Sequence, residues 1–325
     1  MRIGVVNNLR AGKSQEQVSR MLGFLRSHPD VLHVETENAG VMPEALAELA
    51  RQEVDLLVVN GGDGTLQYVL TELLGGGVFG DNVPLLAPLR AGRTNMSAMD
   101  LDAHKDPIHG LSELIACAED GRIAERVEPR RVLRVSYGFG AHREAQYGMF
   151  FGAGIIKRAI ELNHRLFDKE GQRSLVEGVP GATLVTAGLL GRMITGDHSG
   201  ILTPDKVQIL LDGEEVGHGE FHLVMASTLS RLFSRMRPFW GQGPGGVRFT
   251  SIAAPSERIG RAIVGMVRGK PADWVTPETG YTSRNVDHAE LSMSCGFTVD
   301  GELWQPDPDR SIALSAERVV HFVRA

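Results

Sequence analysis

The residues whose types and spacing best suit chemistry are Asn60-Gly61-Gly62-Asp63-Gly64-Thr65: three glycines, one carboxylate and one hydroxyl. Glycines permit positive φ and let a ligand come close to the backbone. Before them Val54 to Val59 is a continuous apolar run, the pattern of a buried strand in a parallel sheet. After them Leu66, Val69, Leu70, Leu73 and Leu74 fall on one helical face. A strand-to-helix turn of this kind offers the free amides of the helix start to an anion, a phosphate first of all. Asn-Gly and Asp-Gly pairs also form hairpins, but the helical period downstream argues against one here.

Two more polar turns follow the same plan. Arg2 to Val6 reads as a strand, ending in Asn7-Asn8-Leu9-Arg10-Ala11-Gly12-Lys13-Ser14, with Val18, Met21, Leu22 and Leu25 as the stripe of a helix. The Gly-Lys-Ser ending lacks the glycine of a P-loop five residues upstream, where Asn7 stands. The milder reading is a polar turn whose Asn8 side chain helps to hold a nucleotide. Val31 to Thr36 alternates as a strand, and Met42 to Gln52 reads as a helix. Beyond Gly75-Gly76-Gly77, a strand over Val83 to Leu89 runs into Arg90-Ala91-Gly92-Arg93-Thr94-Asn95 and a helix through Met99. Three strand–turn–helix units imply a parallel α/β sheet with helices on both faces. Ligands bind beyond the carboxyl ends of such strands, where the three turns would converge.

From about residue 126 the period changes. Arg131 to Tyr137, Val207 to Leu211, Gly219 to Met225, Gly246 to Ile252, Glu290 to Val299, Ser311 to Leu314 and Val319 to Val323 alternate as antiparallel strands. The fold class expected is therefore an N-terminal parallel α/β domain over 1–126 and a mainly antiparallel, β-sandwich-like domain over 127–310, with 311–325 as a last segment. A helical insertion is expected from Ile155 to Ile194. Its Lys157, Arg158, His164 and Arg165 lie between apolar residues, which suits either a helix touching lipid or one packed on the sheet with a solvated face. The run from Gly181 to Ile194 is too short to span a bilayer and would cap an apolar pocket or fill a core. Gly241 to Gly246 reads as a loop, since no strand and helix flank it.

Composition narrows the classes. A hydrophobic fraction of 42% and a charged fraction of 23% are those of a soluble globular protein. The formal net charge of −6 gives no general attraction to nucleic acid or anionic membrane. Cys117 and Cys295 make no disulfide framework and fit a reducing cytoplasm. The N-terminus runs directly into a strand pattern, which argues against a signal peptide. No His-Glu-x-x-His pairing, zinc spacing or Gly-x-Ser-x-Gly elbow occurs. Two Asp-Gly-Glu tripeptides, at Asp212 and Asp300, each follow an alternating strand; by default each is a hairpin turn with a solvent-facing acid.

Taken in order, Asn8 to Gly12, Gly61 to Thr65, Gly92-Arg93-Thr94-Asn95 and Asp300-Gly301-Glu302 resemble the motif series of the diacylglycerol kinase catalytic superfamily, in particular the soluble bacterial lipid kinases. The resemblance implies an ATP- and Mg2+-dependent lipid kinase whose acceptor is a hydroxyl of a diacylglycerol-, glycerolipid- or sphingoid-type lipid. Gly61, Gly62 and Gly64, with the Thr65 hydroxyl, would cradle the ATP phosphates. Asn8, Thr36, Gly92, Arg93, Thr94 and Asn95 would line the nucleotide cleft. Asp63 would organise the magnesium–phosphate end or the attacking hydroxyl. Glu302 would be the general base, Asp300 would shape the site, and the last segment would return to the interdomain region. The implied setting is cytoplasmic, at most peripheral at the membrane, with a lipid partner, no nucleic acid and no transmembrane segment; a homodimer is one option. The chain departs from the family pattern at Leu9, Gln67-Tyr68, Arg93 and Met96, and 238–250 contains no acid for the family's structural magnesium loop. Thr94 could serve by a one-residue shift, and Arg93 could pair with phosphate itself. The alternatives are a kinase of a soluble acceptor such as NAD, or a non-catalytic nucleotide- or lipid-binding protein.

Overall fold

The computed structural model describes residues 1–10, 14–80, 82–139, 143–167, 202–232, 235–307 and 310–325. The chain divides into two compact units, 1–130 with 319–325, and 131–318.

The first unit opens with β1 (Ile3–Asn8), α1 (Gln15–Arg26), β2 (Leu32–Thr36) and α2 (Met42–Arg51). It continues with β3 (Leu56–Asn60), α3 (Asp63–Leu74), β4 (Leu85–Pro88), α4 (Met96–Asp100), α5 (Pro107–Glu119) and β5 (Val127–Arg131). β1 pairs in parallel with β2 and β3, and β3 with β4, in register Asn7↔Asn60 and Val59↔Pro88. The polar turns after β1, β3 and β4 therefore leave the sheet at the same edge. Alternation sorts the core: Ile3, Val5, Leu56, Val58 and Ala87 pack with Met21 and Leu25 of α1 and Leu111 and Leu114 of α5. Helix α1 starts at a capping box, in which Ser14 accepts from the Gln17 amide and the Gln17 side chain accepts from the Ser14 amide.

The second unit contains β6 (Leu133–Phe139), β7 (Arg143–Gly148), β8 (Phe150–Gly154), α6 (Ile155–Phe167), β9 (Asp205–Leu211), β10 (Glu214–Ser227), β11 (Val247–Ala254) and α7 (Ile259–Met266). Then come β12 (Tyr281–Val286), β13 (His288–Met293), β14 (Phe297–Val299), β15 (Glu302–Trp304) and β16 (Ile312–Ser315). They form one curled, eleven-stranded antiparallel sheet around a core that includes Phe151, Ile209, Phe249, Leu291 and Phe297. The α/β-then-antiparallel fold class expected from the period is the one found. Glu290 to Val299, read as one strand, is two, because the chain turns between Met293 and Phe297. The helical insertion starts at Ile155 as expected; its part from 168 to 194, including the run from Gly181, lies outside the described residues. In α6, Lys157 pairs with Glu161 and Arg158 with Asp205, each at 2.6 Å, and Ile155 is buried, which favours the packed reading of that helix. No described helix is long and apolar enough to cross a membrane.

The last strand, β17 (Val319–Val323), belongs to the first unit, giving a sheet order β2-β1-β3-β4-β17-β5.

Candidate active site

In the first unit the three turns are tied to one another by specific contacts. Residues 61–65 follow β3, with Gly62, which has no side chain to cap with, as N-cap of α3. The amides of its first turn are thus left to other acceptors. None of Gly61, Gly62 and Gly64 has a positive φ, so the conformational freedom that glycine permits is not used there, and what Gly61 and Gly92 supply is space. A Cβ on Gly61 would overlap the Thr65 side chain, and one on Gly92 would collide with the Cα of Gly62. The second and third turns touch backbone to backbone.

Asn8, at the end of β1, donates from Nδ2 to the Thr65 hydroxyl at 2.8 Å, and its Oδ1 accepts the Arg10 amide at 2.9 Å. An accepting hydroxyl keeps its own proton for a further acceptor. Asp63 takes two amides of the third turn, Met96 to Oδ2 at 2.9 Å and Ser97 to Oδ1 at 3.0 Å. Burial pushes the Asp63 carboxyl above its ordinary range, and those amides pull the other way. Asn95 sits at φ +54°, the left-handed region that asparagine tolerates. Its amide clamps Gly92, accepting the Gly92 N–H at 2.6 Å and donating to the Gly92 carbonyl at 2.7 Å. Thr36, paired in register with Asn8, is 1% exposed with a hydroxyl lacking any hydrogen-bond partner. Arg93 and Thr94 are half-buried in the same turn. Ala11 to Lys13 lie outside the described residues.

A cavity of about 370 Å³ adjoins this edge, lined among others by Arg20, Asn60, Arg90, Gly92, Lys105 and Asp106. Arg20 and Asp106 pair at 3.5 Å, while Arg90, half-buried, and Lys105 have no ion pair among the described residues. A partly desolvated cation without a counter-charge favours an anionic ligand. Sequence reasoning passed over Arg90. The signal available was its place directly after the buried strand that ends in Pro88-Leu89.

In the second unit, Asp300 and Gly301 form the two-residue turn between β14 and β15, with φ +47° and +95°. Positive φ at both central residues is what a tight hairpin requires. The side chain does not face solvent, as the default reading had it: Asp300 is 4% exposed and its Oδ2 accepts the Met149 amide at 2.8 Å. A Cβ on Gly148 would run into that carboxylate. Glu302 follows at the start of β15, half-buried. The equivalent Asp212 keeps the default: it is exposed and its Oδ1 accepts the amides of Asp287 and His288. Among the described residues no three His, Cys, Asp or Glu side chains are grouped as a metal site would need.

Residues 2–123 match the model of the diacylglycerol kinase catalytic domain. The superfamily resemblance read from the motifs thus holds over the unit that carries three of the four. No curated protein matches the sequence. Among solved structures, a diacylglycerol kinase from Bacillus anthracis str. Sterne is 16% identical with TM-score 0.60, covering 100% of this chain and 97% of that one. A second structure from the same strain, of a protein assigned but not established as a diacylglycerol kinase, is 17% identical with TM-score 0.65 at the same coverage. At these identities the likeness is one of fold, and it extends through both units.

Proposed function

We propose that the protein is a lipid kinase, transferring the γ-phosphoryl group of ATP to a hydroxyl of a diacylglycerol-, glycerolipid- or sphingoid-type lipid. The observation that carries this reading is the interlocked edge of the first unit. A helix N-terminus whose N-cap has no side chain, a hydroxyl with a proton to give and an arginine with no ion pair among the described residues are held there by residues that match a diacylglycerol kinase catalytic domain.

The roles follow from the contacts. Amides at Gly61, Gly62 and Gly64 and the Thr65 hydroxyl donate to phosphate oxygens. Asn8 orients Thr65. Asp63 fixes the third turn against the second through Met96 and Ser97, so that Gly92, Arg93, Thr94 and Asn95 hold their places beside the nucleotide, with Thr36 on the Asn8 side. Arg90 supplies positive charge. Magnesium, arriving with the nucleotide, neutralises phosphate charge; no protein ligand set is assigned to it. Glu302 takes the proton of the lipid hydroxyl as its oxygen bonds to phosphorus and the bond to ADP breaks, and Asp300 holds the hairpin that carries Glu302. A carboxylate suffices because the alcohol becomes acidic only as that bond forms. Positioning and charge neutralisation supply most of the rate.

Incubation with labelled ATP and a panel of lipid alcohols tests the proposal, the expected outcome being label in a lipid product. Label on NAD with none on any lipid would assign a soluble acceptor. Nucleotide binding without transfer to either would assign a binding protein.

A further inference from the structure

Residues 231–270 hold eight arginines and lysines against a single acid, Glu257, in a chain whose formal net charge is −6. The fold gathers five of these cations around α7. Arg258 is the left-handed N-cap of the helix, and its guanidinium lies over Trp274 at 5.7 Å from the ring centroid. Arg261 is exposed one turn on, and Arg268 and Lys270 are exposed in the turn that follows the helix. Arg237 is brought to them by its amide, which donates to the Val267 carbonyl at 2.8 Å, and by close packing against Gly269.

The inner face of α7, Ile259, Ala262, Ile263 and Met266, is buried in an apolar cluster with Trp240 and Trp274 at its margin. The outer face has Val264 between Arg261 and Arg268, and that valine is 48% exposed. Arg237, Arg261, Arg268 and Lys270 make no ion pair among the described residues. The acids nearest in the chain, Glu257, Asp273 and Glu278, are not paired with them either. A merely solvated helix face carries interspersed charges of both signs, with acids three or four residues from the bases. Here, among the described residues, the cations stand without paired acids around an exposed aliphatic side chain. Cations ringing an apolar residue match a surface with negative headgroups above hydrocarbon, whereas a nucleic-acid backbone offers nothing to the valine.

We propose that α7 and its flanks, Arg237 and 268–270, dock the protein on an anionic phospholipid bilayer. None of these residues is among those assigned to phosphoryl transfer, and the proposal does not depend on that assignment.

Co-sedimentation of the full chain with vesicles tests this. Binding is expected to vesicles containing phosphatidylglycerol, to fail with phosphatidylcholine alone, and to weaken as salt is added. Each cation near an anionic surface strengthens binding about fivefold, so the combined variant Arg261→Glu, Arg268→Glu and Lys270→Glu is expected to bind at least about a hundredfold more weakly. Val264→Ser, which keeps every charge, is expected to lose roughly tenfold. All these positions are exposed, and thermal unfolding of the variants is expected to match that of the parent. Failure of the parent on anionic vesicles, or unchanged binding by the triple variant, overturns the proposal, as does capture of a DNA duplex through the same residues without vesicle binding. Label transfer to a lipid alcohol in neutral detergent micelles is expected to survive the triple change. Loss of docking and loss of catalysis are thereby separately visible.

Discussion

Glu302 and Asp300 sit two residues apart in different surroundings. The Asp300 carboxylate is buried on the Met149 amide and fixes the turn, while Glu302 begins the next strand half-buried. Glu302→Gln is therefore expected to lower phosphoryl transfer by about 10²- to 10⁴-fold, the usual contribution of a general base, with nucleotide affinity retained. A variant that transfers at the parent rate removes the base assignment. The turns themselves were legible in the sequence because strand and helix periods framed each one. The partners were not. That Asp63 takes the amides of Met96 and Ser97 depends on two turns more than thirty residues apart meeting at one sheet edge, which no local pattern encodes. The same holds for Asn8 and Thr65.

At the scale of elements, the contact between the second and third turns is backbone against backbone, so Gly92 has no room to grow. Gly92→Ala must displace the Gly62 backbone, at roughly 1–3 kcal/mol for overpacking. The expected reading is a lower midpoint in urea together with nucleotide affinity weakened by about tenfold or more; unchanged affinity would separate this contact from the nucleotide. Helix α5 offers a pH-dependent test of another kind. Asp106 is its N-cap, accepting the Ile108 amide at 2.9 Å, and that hydrogen bond holds its carboxyl below the ordinary value of 3.8. Because the folded value is the lower one, the cap stabilises fully above about pH 3.8 and is lost as pH falls through the folded value. Asp106→Ala is expected to cost about 1 kcal/mol in urea unfolding at pH 7, with the gap to the parent closing below the ordinary carboxyl range. The twin Asp-Gly-Glu hairpins show where element-level reading stops. The turn type follows from Asp-Gly alone in both, but whether the acid is buried depends on what packs there, Gly148 and Met149 in one case and the exposed 287–288 backbone in the other.

At the scale of the whole molecule, the chain returns to its beginning. The period of Val319 to Val323 was readable as a strand, but its neighbour was not: β17 inserts between β4 and β5, with Phe322 opposite Leu86 and more than two hundred residues of chain between them. Val320, Phe322 and Val323 are buried, the Ala325 carbonyl accepts the His104 amide at 2.7 Å, and the Arg324 amide donates to Arg126. Three buried side chains of this kind contribute roughly 6 kcal/mol, comparable with the whole stability of an ordinary domain, about 5–15 kcal/mol. Removing β17 also opens β4 as an unpaired strand edge and detaches β5. A fragment of residues 1–130 is accordingly expected to fail to fold cooperatively, although it contains every residue matched to the kinase catalytic domain. The same fragment joined through a flexible linker to 317–325 is expected to regain a sigmoidal thermal transition by circular dichroism. Cooperative unfolding of the bare fragment at the same temperature as the linked one would show that the first unit does not need its last strand. The opposite result would mean that the first unit cannot form until the second unit has been synthesised, because the strand that completes its sheet comes last.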